Sequence, residues 1–190
     1  MKFKLKNVRA AFMQVFTAKA VNGEGDPAFG CSFLLDPKDP QVKALEAACL
    51  QVAKEKWGTK ADQVFKQMKA GDKLCLHDGD TKAQYEGFEG MMFVSSRTKT
   101  RPLTLGGGPN KKDPVVESDG VLYSGCYVNA VIELWAQDNQ FGKRINAQLG
   151  GVQFYRDGDA FSGGGSAADE DDFEDLGDQG DDADLLGTGA

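Results

Sequence analysis

The sequence predicts a small, mainly β barrel with one helical insertion, followed by a C-terminal tail that does not join the fold. Short apolar segments separated by turn residues flank a single helical region. A Gly/Ser-rich run then follows the last apolar segment, and the residues after it are mostly acidic or small. A chain of 190 residues is long enough for one domain with a sizeable core and such a tail.

Two helices are predicted in the insertion. Asp39 is a favourable N-cap and Pro40 a favourable first helical residue, and apolar residues then recur at spacings of three and four. Gly58 is predicted to end this helix. A second helix is predicted over residues 61–70, with Thr59 as its cap.

Six strands are predicted around these helices. They span residues 2–15, 29–35, 73–76, 91–100, 121–136 and 144–155. Clusters of Gly, Asp, Asn or Pro separate them. Because the helices are confined to one insertion between strands, the pattern favours a small barrel over a layered α/β fold.

The predicted strand over residues 121–136 has two different faces. Its even-numbered residues are apolar apart from one serine, so we expect this face to lie in the core. Its odd-numbered residues include Tyr123, Tyr127 and Trp135 among polar side chains. Exposed rings suit sequence-tolerant binding of a nucleic acid single strand, since each base stack contributes roughly 1 to 3 kcal/mol. Trp135 is equally compatible with packing under the helices.

Basic side chains line one side of the predicted strand over residues 91–100. Phe93, Arg97, Lys99 and Arg101 share this side, and a basic row with an aromatic ring at its end is suited to a phosphate backbone. The other candidate phosphate-binding residues are Lys111, Lys112, Lys143 and Arg144. A basic strand face is also common at a solvated sheet edge, so the combination with the aromatic rings favours nucleic acid.

The charges are unevenly distributed along the chain. Residues 1–161 hold all 22 Lys and Arg and have a net charge of +3, whereas residues 162–190 hold 10 acidic residues and no basic one. The first region is predicted to be one domain that binds nucleic acid, and the second a flexible hinge with a disordered interaction tail.

No cysteine pattern of a metal site is present. Cys31, Cys49, Cys75 and Cys126 are widely separated and include no C-x-x-C pair, so we predict reduced thiols buried in the core. No cofactor is predicted. The N-terminal residues contain lysines and no uninterrupted apolar run, which predicts neither an export signal nor a membrane span.

Catalytic motifs are also lacking. The sequence His77-Asp78-Gly79-Asp80 offers metal-capable groups, but such a sequence after a strand is typical of a turn. The glycines at 106–108 lack the spacing of a phosphate-binding P-loop. The sequence therefore predicts a binding protein and not an enzyme.

Three segments resemble the single-stranded DNA-binding proteins of tailed bacteriophages: residues 85–93 (YEGFEGMMF), 123–129 (YSGCYVN) and 142–158. The resemblance implies an OB-fold five-stranded barrel and sequence-tolerant binding of single-stranded DNA in phage replication and recombination, in the cytoplasm of the host bacterium. It also implies an acidic tail that recruits phage or host replication and recombination proteins. The apolar candidates for that contact are Phe173, Leu185 and Leu186.

Three alternatives remain open on the sequence. A recombination mediator or strand-annealing protein would share the basic surface. A metal-dependent nuclease would use Asp78 and Asp80. An interaction module would not bind DNA at all.

Overall fold

The computed structural model describes residues 1–21 and 23–162, and the candidate tail residues Phe173, Leu185 and Leu186 lie outside the described residues. The strands are β1 (Lys2–Val21), β2 (Glu24–Leu35), β3 (Leu76–Asp78), β4 (Met92–Thr98), β5 (Leu103–Gly107), β6 (Asp113–Pro114), β7 (Tyr127–Asn139) and β8 (Gly142–Arg156). The helices are α1 (Pro40–Trp57) and α2 (Ala61–Ala70), both between β2 and β3.

Five of the strands close into a mixed barrel. The order around the barrel is β1, β2, β4, β8 and β7, and β7 pairs with β1 to complete the ring. All of these pairings are antiparallel except that of β4 with β8, where Arg97 lies opposite Gln148. The predicted five-stranded barrel of the OB type is therefore confirmed.

The first strand bends so that it can pair with two neighbours. Lys2 to Arg9 pair with β7, and the pairing with β2 begins at Arg9. Asn7 and Phe12 have positive φ angles of 50° and 49°, and each lies at a shift in register. Such bulges bend a strand and increase its twist. The bend leaves the far ends of β1 and β2 as an exposed hairpin.

The helices agree with the sequence prediction except at the second cap. The Asp39 carboxylate accepts a hydrogen bond from the amide of Gln41 at 2.9 Å, and α1 ends at Gly58. The predicted cap at Thr59 is wrong, because a 3-10 turn over Gly58–Lys60 runs directly into α2. Within the described residues, no helix has the length and apolarity needed to cross a membrane.

Barrel and helices share one hydrophobic core. Leu45 and Cys49 of α1 are fully buried in the same cluster as Phe33 and Ile132 of the barrel. All four cysteines are buried, as predicted. Burial raises the pKa of the Cys31 thiol well above its ordinary value. A thiol in this setting is unreactive and fills space as a small apolar side chain.

Several strands differ from their predicted bounds: β1 and β2 are longer than predicted, and β3 spans Leu76–Asp78 and not residues 73–76. The predicted strand over residues 121–136 begins only at Tyr127, because the preceding residues form a turn with Gly125 at a φ of 109°. Strand β5 was not predicted, since its glycine-rich sequence resembles a loop. It forms because Leu103 and its neighbours pair in parallel with β8 around Gly151.

Candidate nucleic-acid interface

An open groove crosses the outer face of the barrel between two exposed hairpins, that of β1 with β2 and that of β7 with β8. Its volume is about 470 Å³. Its floor includes Gly30 of β2 and Ser95 of β4. A Cβ atom on Gly30 would lie 3.1 Å from the carbonyl oxygen of Ser96. Gly30 therefore leaves the floor low at this point, and a larger residue there would crowd the backbone of β4.

The aromatic side of the groove comes from β7 and the hairpin that follows it. Trp135 lines the groove with 45 % of its surface exposed. Its cross-strand partner is Asn146, whose side-chain amide donates to Gln137 at 3.0 Å. Phe141 at the hairpin is 80 % exposed and lines the adjoining part of the groove. Both rings present faces that a base could cover.

The groove is basic on both sides. Arg97 and Arg144 line it, and Lys19 lines it from β1. Lys99 lines the adjoining part near the first hairpin, where its ammonium group lies 2.5 Å from the carboxylate of Asp26. The ammonium of Lys99 lowers the pKa of Asp26.

The pair of Lys99 and Asp26 is held only weakly in place. The two side chains are 74 % and 76 % exposed, and ion pairs so well solvated contribute little to stability. The Asp26 backbone carbonyl also accepts a long bond of 3.4 Å from Arg97. Replacing Asp26 by a phosphate beside the side chains of Lys99 and Arg97 therefore requires little free energy.

A polar brace connects α1 to the hairpin between β7 and β8. The indole N–H of Trp57 donates to Asp138 Oδ2 at 2.8 Å, and the ammonium of Lys143 donates to Asp138 Oδ1 at 3.1 Å. Both interactions lower the pKa of Asp138, that with Trp57 being the larger. The helix thereby holds the hairpin that presents Trp135 and Phe141.

We predict that acid loosens this brace. Because the folded-state pKa of Asp138 is lowered, its stabilising contribution is complete above the unfolded-state value near 3.8 and is lost as the pH falls through the lower folded value. The Asp138→Asn variant should therefore show less loss of stability between pH 5 and about pH 3 than the parent. Urea unfolding of both proteins at several pH values measures this difference, and parallel pH profiles would contradict it.

Three of the predicted aromatic residues lie away from the groove. Phe93 is 2 % exposed and packs between Phe88 and His77, at ring-centroid distances of 5.2 and 5.0 Å. It has no free face for a base, so its predicted stacking role is corrected to a core role. The hydroxyl of Tyr123 donates to Asp157 at 2.7 Å. The third, Tyr127, is covered on one face by a guanidinium group 3.5 Å from the ring centroid.

Several predicted phosphate-binding residues do not line the groove. The ammonium of Lys111 donates to the carbonyl of Tyr155 and lies 4.9 Å from the Phe154 ring centroid. Lys112 is exposed on the same turn, and Arg101 is exposed between β4 and β5. Lys143 is on the hairpin but pairs with Asp138. Of the predicted basic residues, the structure brings together Arg97, Lys99 and Arg144.

The segment His77-Asp78-Gly79-Asp80 carries the end of β3 into a 3-10 turn over Gly79–Lys82, so the predicted turn lies at its second half. Asp78 accepts from the amide of Asp80 at 2.9 Å, and Asp80 accepts from the amide of Gly90 at 2.8 Å. One oxygen of each carboxylate thus accepts a hydrogen bond from a backbone amide. Within residues 1–21 and 23–162, no three His, Cys, Asp or Glu side chains are grouped as metal ligands.

Three groove residues were missed by the sequence prediction. Lys19 and Phe29 lie near the first hairpin, where the predicted strands ended at residue 15 and began at residue 29. The Asn22-Gly23 pair is a strong hairpin signal and would have extended both strands. Phe141 lies between polar turn residues with no apolar periodicity around it, and such an isolated aromatic signals an exposed ring.

The fold and the groove define the class of protein. A five-stranded barrel whose open face carries exposed rings and basic side chains between two hairpins is the arrangement of oligonucleotide-binding OB proteins. The family model described as Enterobacter phage Enc34, ssDNA-binding protein, matches residues 1–186. The chain belongs to this phage single-stranded DNA-binding protein family, whose members are binding proteins and not enzymes.

Comparisons with individual proteins agree with this assignment. A protein named putative protein p50, of Acyrthosiphon pisum secondary endosymbiont phage 1, is 41 % identical over 180 residues, 93 % of this chain and 94 % of the relative. The structure of the bacteriophage Enc34 single-stranded DNA-binding protein in complex with ssDNA matches with a TM-score of 0.69 and 29 % identity, over 85 % of this chain and 89 % of that one.

A more distant structure shares the fold. The single-stranded DNA-binding protein gp2.5 of bacteriophage T7 matches with a TM-score of 0.57 and 13 % identity, over 82 % of this chain and 91 % of that one. The five-stranded barrel is thus the common feature.

Proposed function

We propose that the groove between the two hairpins binds single-stranded DNA without strong preference for base sequence. The observation that carries this proposal is the placement of the Trp135 ring beside Arg97 and Arg144 on one open surface. Membership of a family of phage ssDNA-binding proteins supports it. So does the likeness to a protein crystallised with ssDNA.

The proposed binding combines two interactions. Bases stack on Trp135 and Phe141, and this contact is tolerant of sequence because every base has a π-face. The phosphates are bound by Lys19, Arg97, Lys99 and Arg144, and a phosphate displaces Asp26 from Lys99. The low floor at Gly30 lets the strand approach the sheet. Coating of single strands in this way serves to protect DNA during phage replication and recombination.

We predict a strong dependence of this binding on salt. Each phosphate contact with a single strand contributes a slope of about −0.7 to the plot of log K against log salt concentration. Four contacts, from Lys19, Arg97, Lys99 and Arg144, give a slope of about −3. Fluorescence titration of a labelled oligonucleotide at four salt concentrations measures the slope. A flat plot would contradict the proposed function.

Partner recruitment by the acidic C-terminal region is a second part of the proposal. Residues 162–190 carry 10 acidic residues and no basic one, with Phe173, Leu185 and Leu186 as apolar candidates. An acidic segment with a few apolar residues suits a basic, apolar surface on phage or host replication or recombination proteins. Pull-down of such proteins by the full chain, lost on replacing the three apolar residues by Ser, tests this part.

A further inference from the structure

A row of lysines on β1 lies outside the groove and has no role in the binding described so far. Lys2, Lys4 and Lys6 are all exposed, and their alternation along the strand places them on one face. In the part of the chain that the structure describes, none of the three forms an ion pair. Their charges are therefore available to an anionic ligand.

The lysine row begins where the groove ends. In the antiparallel pairing of β1 with β7, Lys2 lies opposite Glu133. Trp135 is two residues further along β7, a distance of about 7 Å. The N-terminal ammonium lies 3.0 Å from the carboxylate of Glu133 and offsets its charge. A DNA strand that leaves the groove past Trp135 therefore meets Lys2 next. The carboxylate of Glu133 on this path is already paired with the N-terminal ammonium.

The far end of the row is also basic and carries an aromatic ring. Arg9 of β1 lies opposite Tyr127 of β7, and Arg156 stacks on that ring at 3.5 Å. The side chain of Arg156 is fixed by a bond of 3.3 Å to Asn7. The guanidinium covers one face of Tyr127, so this end offers a positive charge rather than a free ring.

We propose that Lys2, Lys4 and Lys6 form a second contact surface for the same DNA strand, binding its phosphates after it passes Trp135. This inference rests on the proposed function of the groove. A length of DNA that only fills the groove does not reach the lysines, whereas a longer one does. The lysine row thus sets how much DNA one protein molecule covers.

Lysines have a second common use on such a strand. From Lys2 to Val8, β1 pairs with β7 alone, and lysines often protect an open strand edge from pairing with another chain. The backbone of Lys6 is already bonded to the side chain of Gln41, at 2.7 Å from its amide and 2.9 Å from its carbonyl. Edge protection and DNA binding predict different results when the charges are removed.

The test compares two oligonucleotides on the full chain, a short one that fills the groove and one twice as long. In the Lys2→Gln, Lys4→Gln, Lys6→Gln variant, affinity for the short oligonucleotide should be unchanged, and the gain of affinity with length should be lost. The salt slope on the long oligonucleotide should become smaller by about 2, three contacts at about 0.7 each. A matched control removes three other exposed, unpaired lysines: Lys38, Lys60 and Lys66.

The outcomes separate the two proposals. If the parent protein fails to bind the short oligonucleotide, the proposed function of the groove is wrong. If the parent binds it, and the lysine variant keeps the same length gain and salt slope as the control, the lysine surface is overturned. Self-association of the variant in sedimentation with an unchanged slope would assign the lysines to edge protection. If the lysine variant bound both oligonucleotides more tightly than the parent at low salt, the three lysines would be assigned to binding the acidic C-terminal region and not DNA.

Discussion

Replacing Trp135 by leucine is expected to weaken binding of a single-stranded oligonucleotide by about 1 to 3 kcal/mol, or roughly 5- to 150-fold. Trp135 has the stacking role because its ring lines the groove with nearly half of its surface open. Leucine retains an apolar side chain on the same strand but lacks a π-face for a base. Since the residue is not part of the core, the free energy of unfolding should change little.

The matched control is Tyr155, which is 44 % exposed on β8 and does not line the groove. Tyr155→Leu removes an aromatic ring of similar exposure and should leave affinity unchanged. Titration with a labelled oligonucleotide, alongside urea unfolding of each variant, separates loss of binding from loss of fold. Equal affinity of the Trp135 variant and the parent would place the stacking surface elsewhere.

The sequence predicted the parts of the fold that local signals determine. The cap at Asp39 and the end at Gly58 follow from residue chemistry within one turn of the helix. The closing pair of β4 with β8 has no such signal, because it depends on contacts between residues far apart in the chain. Strand β5 was missed for the same reason, since Leu103 pairs with a strand more than forty residues later.

The candidate site was predicted in part. The alternation of odd-numbered and even-numbered residues correctly put Trp135 on the outer face of β7. The same alternation also selected Tyr127, whose ring lies under Arg156. Phe93 and Arg97 were grouped because both are odd-numbered residues of one strand, although Phe93 is buried and Arg97 is exposed. The reason is that β3 and the segment around Phe88 cover the first half of β4, and sequence alternation does not report which half of a strand a neighbour covers.

The described chain ends close to the groove. Phe161 packs beneath the guanidinium of Arg9 at 4.1 Å, and its amide donates to the Ser124 carbonyl at 2.9 Å. The amide of Ser162 donates to Glu86 at 3.2 Å. Phe12 lines both the small cavity beside Phe161 and the groove itself. The described part of the chain therefore ends, at Ser162, near the basic groove.

We predict that removing the acidic region strengthens DNA binding at low salt. Residues 163–190 hold 10 acidic residues and no basic one, and a polyanion on a short tether reaches effective concentrations of about millimolar. Such a segment competes with DNA for Arg97 and Arg144. Occupation of nine free grooves in ten would reduce the apparent affinity about tenfold, and truncation would restore it. The cut belongs after Ser162, because Phe161 and Ser162 contact the domain.

The comparison uses the full chain, the chain truncated after Ser162, and a full-length control in which the ten acidic residues become Asn or Gln. The control keeps the length of the C-terminal region and removes only its charge, so it should bind as tightly as the truncated protein. Because salt screens the tail and DNA alike, the advantage of both variants should shrink toward high salt. Equal affinities of all three proteins at low salt would exclude competition. A truncated protein that binds more weakly than the charge-free control would show that the C-terminal residues contribute to binding or folding through contacts other than charge.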